Sequence, residues 1–158
     1  MTDERSSAER SIAQNRKAYH DYFVEDTIDA GLVLAGAEVK SLRAHHVSIG
    51  EAYAIVTNGE VWVHGMSITP YANDTDRVRP DPLRARKLLL KRTEIRRLDR
   101  KVREKGFTLI PLRLYFSPTG YAKVQLGLCR GKREYDKRDA IAERDYERRQ
   151  RAQSSERE

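Results

Sequence analysis

Asn58-Gly59 stands between two runs of strand-forming residues, Tyr53 to Thr57 and Glu60 to His64. A type I′ turn needs positive φ at both central residues, and Asn-Gly supplies them, so the two runs fold back on each other as an antiparallel hairpin. A second return follows the same logic. Phe107 to Phe116 and Tyr121 to Leu128 alternate around Ser117-Pro118-Thr119-Gly120, a turn composition. Ile110, Leu112, Leu114 and Phe116 are then predicted to share one face, as are Ala122, Val124, Leu126 and Leu128, and both faces build core. The opposite faces carry Arg113 and Tyr115 on one strand and Tyr121, Lys123 and Gln125 on the other. Rings that stack on bases beside cations that meet phosphates are what a nucleic-acid-binding sheet presents. On pattern alone, an ordinary solvated face reads the same way.

The remaining elements fill in around these hairpins. Ala18 to Glu25 and the apolar run Gly31 to Ala35 suit strands. Ala35, Val39 and Leu42 trace one stripe of a short helix between Gly36 and Ala44. Pro70 to Pro82 reads as a loop. Thr93 as N-cap, Glu94 in the first turn and Gly106 at the end bracket an amphipathic helix with Ile95, Leu98 and Val102 on its apolar side. The sum is a mainly β chain: an antiparallel barrel of five or six strands, oligonucleotide-binding-like, with two or three flanking helices. Residues 1–11 are polar and predicted to be disordered, and 12–131 form the barrel domain. Residues 132–158 hold nine basic and eight acidic side chains with few apolar ones. They are expected to be a tail that is disordered when free and helical on a partner.

Charge is concentrated. From Arg84 to Lys105 there are eleven basic residues and three acidic ones, a net of +8, whereas the whole chain carries +7. Everything else is therefore nearly neutral, and a single basic stripe points to a polyanionic partner. The longest uncharged apolar stretch, Gly31 to Ala37, spans seven residues, far short of the roughly 20 a membrane helix requires. The N-terminal MTDERSSAERS lacks the apolar run of a secretory signal, so a cytoplasmic protein is expected. Cys129 is the only cysteine, which excludes an intrachain disulfide and predicts a buried thiol. Phosphate loops, zinc-protease and CxxC motifs are absent. His45 and His46 are adjacent and make a poor metal pair on a helix. Asp29, Glu38 and Asp81 are the carboxylates a Mg²⁺-dependent nuclease would have to gather, but their spacing does not demand it. Neither a cofactor nor a metal is expected.

Read end to end, NRKAYHDYFVE (15–25), DAGLVLAGAEVKSLR (29–43), NGEVW (58–62), ITPY (68–71), DPLRARKLLL (81–90), GFTLIPLRLYF (106–116), KVQLGL (123–128) and GKREYDKR (131–138) closely resemble the SsrA-binding protein family of bacterial trans-translation. The resemblance implies an adaptor and not an enzyme. Its oligonucleotide-binding-like barrel would grip the tRNA-like domain of tmRNA and bring it, with elongation factor Tu, to stalled ribosomes. Its tail would enter the empty mRNA path near the decoding centre and fold there as a helix. Carried over by residue, the RNA contacts would be Asn15, Arg16, Lys17, His20, Tyr22, Asp29, Leu89 and Lys123. Asp29 stands where the family usually has glutamate. For Leu89 pattern alone predicts core, and its place in the site comes from the resemblance. Arg84, Arg86 and Lys87 are added from charge as phosphate contacts. In the tail, Lys132, Arg133, Tyr135, Asp136, Lys137 and Arg138 match the family's decoding-centre segment, with Arg133 replacing a common lysine. The rival reading is a generic single-strand RNA binder of the cold-shock kind.

Overall fold

The computed structural model describes residues 9–70, 80–132 and 148–149. The main sheet runs β1 (Arg10–Gln14), β8 (Thr108–Phe116), β4 (Tyr53–Thr57), β5 (Glu60–His64), β7 (Arg86–Leu89), β2 (Tyr22–Leu32), β9 (Ala122–Gly131), and β9 pairs again with β8. Six strands from β8 round to β9 therefore close a ring, and β1 adds to the outer edge of β8. Every pairing is antiparallel, and closure leaves few unpaired edges. A two-residue ladder, β3 (Val47–Ser48) with β6 (Ser67–Ile68), lies beside the barrel. The expected oligonucleotide-binding-like antiparallel barrel is the architecture found.

The Asn58-Gly59 turn is as the sequence requires, with φ of 51° and 73°, and it sets Tyr53 opposite His64 through to Thr57 opposite Glu60. Helix α2 (Gly36–Arg43) buries Leu42 and Ser41, and its first turn is closed by Glu38, whose Oε1 accepts the Ala35 N–H at 3.0 Å. Helix α3 (Arg92–Lys105) ends at Gly106 in the left-handed region, as expected. It begins earlier than Thr93 suggests. Its N-cap is Lys91, whose N–H donates to Glu94 Oε1 at 2.9 Å, so Glu94 does from inside the first turn what a capping hydroxyl would do from outside. Ile95, Leu98 and Val102 pack on the core.

Three expectations are corrected. Ala18 to Glu25 is not one strand: Arg16–Asp21 is a short helix, α1, and the strand begins at Tyr22 and continues to Leu32. The helix starts because the Asn15 side chain accepts the Ala18 N–H, and it is too short to reveal a period. Ile110 and Leu112 do not share a face with Leu114 and Phe116. The β8–β9 register shifts between Pro111 and Arg113, and a bulge moves the alternation to the other face. Leu109, Leu114 and Phe116 enter the main core, whereas Ile110 and Leu112 join Ala18 and the buried Cys129 in a second cluster beneath α1. Gly127 makes room for this, since a Cβ there would lie 2.7 Å from the Leu112 Cδ1. Arg10 and Ser11, expected to be disordered, belong instead to β1, and Arg10 pairs with Phe116.

Candidate nucleic-acid interface

Strand alternation decides which cations reach the surface. On β7 the even residues turn inward: Arg86 is fully buried and Leu88 nearly so, whereas Lys87 is half-buried and Leu89 is 56% exposed. Leu89 is thus not a core residue. It lies over Gly31, where a Cβ would come within 3.3 Å of the Leu89 Cβ. Gly31 in turn sits opposite Lys123, and Lys123 opposite Tyr115. A row crosses four strands on the barrel's outer face: Tyr115, Lys123, Gly31, Leu89. One step along the strands, Arg113 faces Gln125 and Gln125 faces Asp29. Lys123 is half-buried and has no ion-pair partner among the described residues.

The surroundings of this row are tied together by hydrogen bonds, a ring contact and an ion pair. Burial, followed by the Asp29 carboxylate that accepts its hydrogen bond, pushes the Tyr115 hydroxyl up to about 12, so it stays a donor at physiological pH. Arg113 stacks over the Tyr115 ring at 4.6 Å and pairs with Glu9 at 3.2 Å. Next to it, a cleft of about 230 Å³ is lined by Gln14, Asn15, Arg16, Tyr19, Leu112, Arg113 and Gln125. This cleft joins the exposed Arg16 and Tyr19 of α1 to the strand row, giving one continuous band of cations, amides and rings. Lys17 is also exposed and pairs with Glu51 at 3.1 Å, while His20 and Tyr22 are half-buried at the end of α1 and the start of β2. Tyr19 and Gln14 are members that sequence reasoning missed. Tyr19 was hidden by reading its segment as a strand; the signal available was Asn15 as an N-cap, which puts Arg16 and Tyr19 three apart on one helix face.

Two expected contacts are corrected. Asn15 is buried, its Nδ2 donates to the Ile49 and Pro111 carbonyls at 3.2 Å each, and its Oδ1 caps α1. Its donors are spent inside the protein. Arg86 cannot reach a phosphate. Its Nε donates to Glu38 Oε2 at 2.8 Å, Nη1 to the Met66 carbonyl at 2.7 Å and Nη2 to the Pro82 carbonyl at 3.0 Å. Arg84 is half-buried and pairs with the same carboxylate. Burial would raise the Glu38 carboxyl, but hydrogen bonds from Arg84, the Ala35 N–H and Arg86 hold it below its ordinary range. Of the three cations added from charge, Arg84 and Lys87 both remain partly exposed, and Lys87 is paired with Glu60 at 3.0 Å. The same geometry separates the possible Mg²⁺ carboxylates. Glu38 is occupied by arginines, Asp29 faces outward beside Tyr115, and Asp81 Oδ1 accepts the Leu83 N–H.

At the barrel's C-terminal exit, the Lys132 N–H donates to the Asp21 carbonyl at 3.0 Å and its Nζ to the Tyr19 carbonyl at 3.3 Å. Lys132 and Arg130 both lie over the Phe23 ring, at 5.0 and 5.3 Å. Arg133, Tyr135, Asp136, Lys137 and Arg138 lie outside the described residues, as do residues 1–8 of the expected disordered N-terminus.

Comparison with known proteins bears on the chain as a whole. The family model described as SmpB protein matches residues 12–156. The SsrA-binding protein of Symbiobacterium thermophilum is 54% identical over 145 residues, covering 91% of each chain. That of Desulfitobacterium hafniense is 53% identical over 137 residues, covering 87% of this chain and 86% of the other. A solved structure described as "tmRNA-SmpB: a journey to the center of the bacterial ribosome" superposes with a TM-score of 0.65 at 46% identity, over 82% of this chain and 93% of that one. With its closed barrel and a match along nearly its whole length, the chain belongs to the SmpB protein family.

Proposed function

We infer that this chain is the RNA-binding adaptor of trans-translation: it binds tmRNA and acts with it on the ribosome. The observation that carries the reading is the continuous outer band in which Lys123 and Leu89 flank Gly31, with Arg16, Tyr19, Arg113 and Gln125 alongside. Guanidinium and ammonium groups on such a band attract phosphates, and the exposed Tyr19 ring and the Leu89 side chain offer surfaces for unstacked bases. A closed barrel spaces these groups through its strand register, which favours a folded RNA over a flexible strand. That spacing, and kinship with the SsrA-binding proteins, count against the generic cold-shock-like reading.

In finer terms, Arg16, Lys17, His20, Tyr22, Asp29, Lys87, Leu89 and Lys123 contact the tRNA-like domain of tmRNA. Elongation factor Tu accompanies the complex. The segment from Lys132 through Arg133, Tyr135, Asp136, Lys137 and Arg138 enters the empty mRNA path at the decoding centre, and all of this takes place in the cytoplasm without catalysis by the protein. The pinned Lys132 supports a fixed starting point for that segment. A competition gel shift tests the reading. The folded tRNA-like domain should displace unstructured RNA of equal length, and equal competition by both RNAs would leave only a generic binder.

A further inference from the structure

The ladder between β2 and β9 ends on an aromatic ring that the core does not use. Tyr22 pairs there with Gly131 and Phe23 with Arg130. Tyr22 and Val24 pack beside the buried Cys129, whereas Phe23, between them, is 39% exposed and belongs to neither apolar cluster. Alternation turns its ring outward. Arg130 and Lys132, two apart on the neighbouring strand, share that side, and both cations lie over the ring, at 5.3 and 5.0 Å. Arg130 also reaches Glu25 at 3.6 Å, the next outward residue of β2. The ring quadrupole attracts each cation, but solvent weakens contacts this exposed, so they add little to the fold.

Lys132 does more than cover the ring. Its N–H donates to the Asp21 carbonyl and its Nζ to the Tyr19 carbonyl. Both carbonyls belong to the last turn of α1, where helix carbonyls lack partners within the helix and a cation is favoured. Helix α1 is thus closed at its start by Asn15 and at its end by Lys132. The same helix supplies Arg16 and Tyr19 to the outer band, and Lys132 opens the segment read above as entering the mRNA path. Between Lys132 and the ladder stands Gly131, where a Cβ would meet nothing within 4 Å. Packing does not constrain that glycine and its backbone is permissive, so the restraint on direction comes from Lys132 and the ring beneath it.

We propose that Phe23 is a positioning residue: its ring holds Lys132 on the end of α1 and so fixes the direction in which the chain leaves the barrel. This rests on the adaptor reading and deepens it, since a tail that must find the mRNA path while the band holds tmRNA needs a set geometry between the two. The test uses the full chain with Phe23→Leu, which keeps an apolar side chain without a ring face, and with Phe23→Tyr, which keeps the face. Losing an exposed cation–π contact multiplies a local opening equilibrium by about three to five. Amide hydrogen exchange at Lys132 should accelerate by that factor in Phe23→Leu and match wild type in Phe23→Tyr. Peptide tagging of stalled ribosomes, in a purified translation system with tmRNA, should fall by a similar factor in Phe23→Leu and recover in Phe23→Tyr. Both variants should keep the wild-type urea midpoint and wild-type affinity for the tRNA-like domain. Unchanged exchange at Lys132 in Phe23→Leu would overturn the proposal, as would full tagging despite faster exchange. So would a parallel loss of affinity for the tRNA-like domain, which would make Phe23 an RNA contact, or a lowered urea midpoint, which would make it a prop of the fold. Failure of the wild-type chain to support tagging would instead defeat the adaptor reading, so the two failures are distinguishable.

Discussion

Arg86 and Lys123 are both cations on strands of one barrel, yet they have opposite fates. Arg86 is sealed inside with Glu38, the Met66 and Pro82 carbonyls and the neighbouring Arg84. Lys123 lies on the outer face between Tyr115 and Gly31 with no ion pair among the described residues. The difference shows that positive charge in a sequence does not say whether a residue serves the fold or a partner. Strand parity does. Within Arg86–Leu89, one position of alternation turns a phosphate-seeking side chain into an internal strut and a leucine that reads as core into an exposed contact.

The largest effect should come from breaking the inner region. Glu38→Ala leaves Arg86 without its counter-charge and removes the acceptor for the Ala35 N–H. Stability in urea should drop by about 3–5 kcal/mol, while the folded fraction still binds tmRNA. A loss of less than about 1 kcal/mol would mean that water or rearrangement compensates Arg86. Breaking the outer region should do the reverse. Lys123→Ala and Leu89→Ala should each leave stability within about 0.5 kcal/mol and weaken binding of the tRNA-like domain by about 1 kcal/mol, roughly fivefold. Titration by fluorescence anisotropy, set beside urea melts of the same samples, separates the two classes.

Acid sharpens the contrast. Because the folded Glu38 carboxyl is held below its ordinary value, its stabilisation is complete above the unfolded value and is withdrawn as pH falls through the folded one. The stability gap between wild type and Glu38→Gln should therefore be widest near neutrality and narrow as the pH falls toward 3, as read from urea midpoints across that series. A gap independent of pH would show that the charge of Glu38 does not contribute. The smallest effect is expected at Lys17→Ala, whose partner Glu51 is even more exposed than Lys17 itself. Solvent screens such pairs, so no measurable change in melting is expected.

Much of this was legible beforehand. The Asn58-Gly59 hairpin, the helix closed by Gly106 and the outward pair Lys123 and Gln125 followed from turn chemistry and period. What was not legible depended on contacts distant in sequence. Helix α1 rests on one cap by Asn15 and one buried residue, Ala18, too little for a periodic signal. The bulge at Leu112 depends on the bare Gly127 across the ladder, and the strand-reading rule carried its alternation straight through. Arg86 was misassigned because the carboxylate that neutralises it lies 48 residues away. The resemblance to a family supplied Leu89 and Arg16, where pattern alone favoured core or was silent.

The most direct test of the division between inner and outer regions is an amide chemical-shift map of the full chain titrated with the isolated tRNA-like domain of tmRNA. The account predicts shifts that follow the outer band, at Arg16, Tyr19, Asp29, Leu89, Arg113, Lys123 and Gln125, with Glu38 and Arg86 unmoved. Shifts centred on α2 and Arg86, with Lys123 and its neighbours silent, would contradict it.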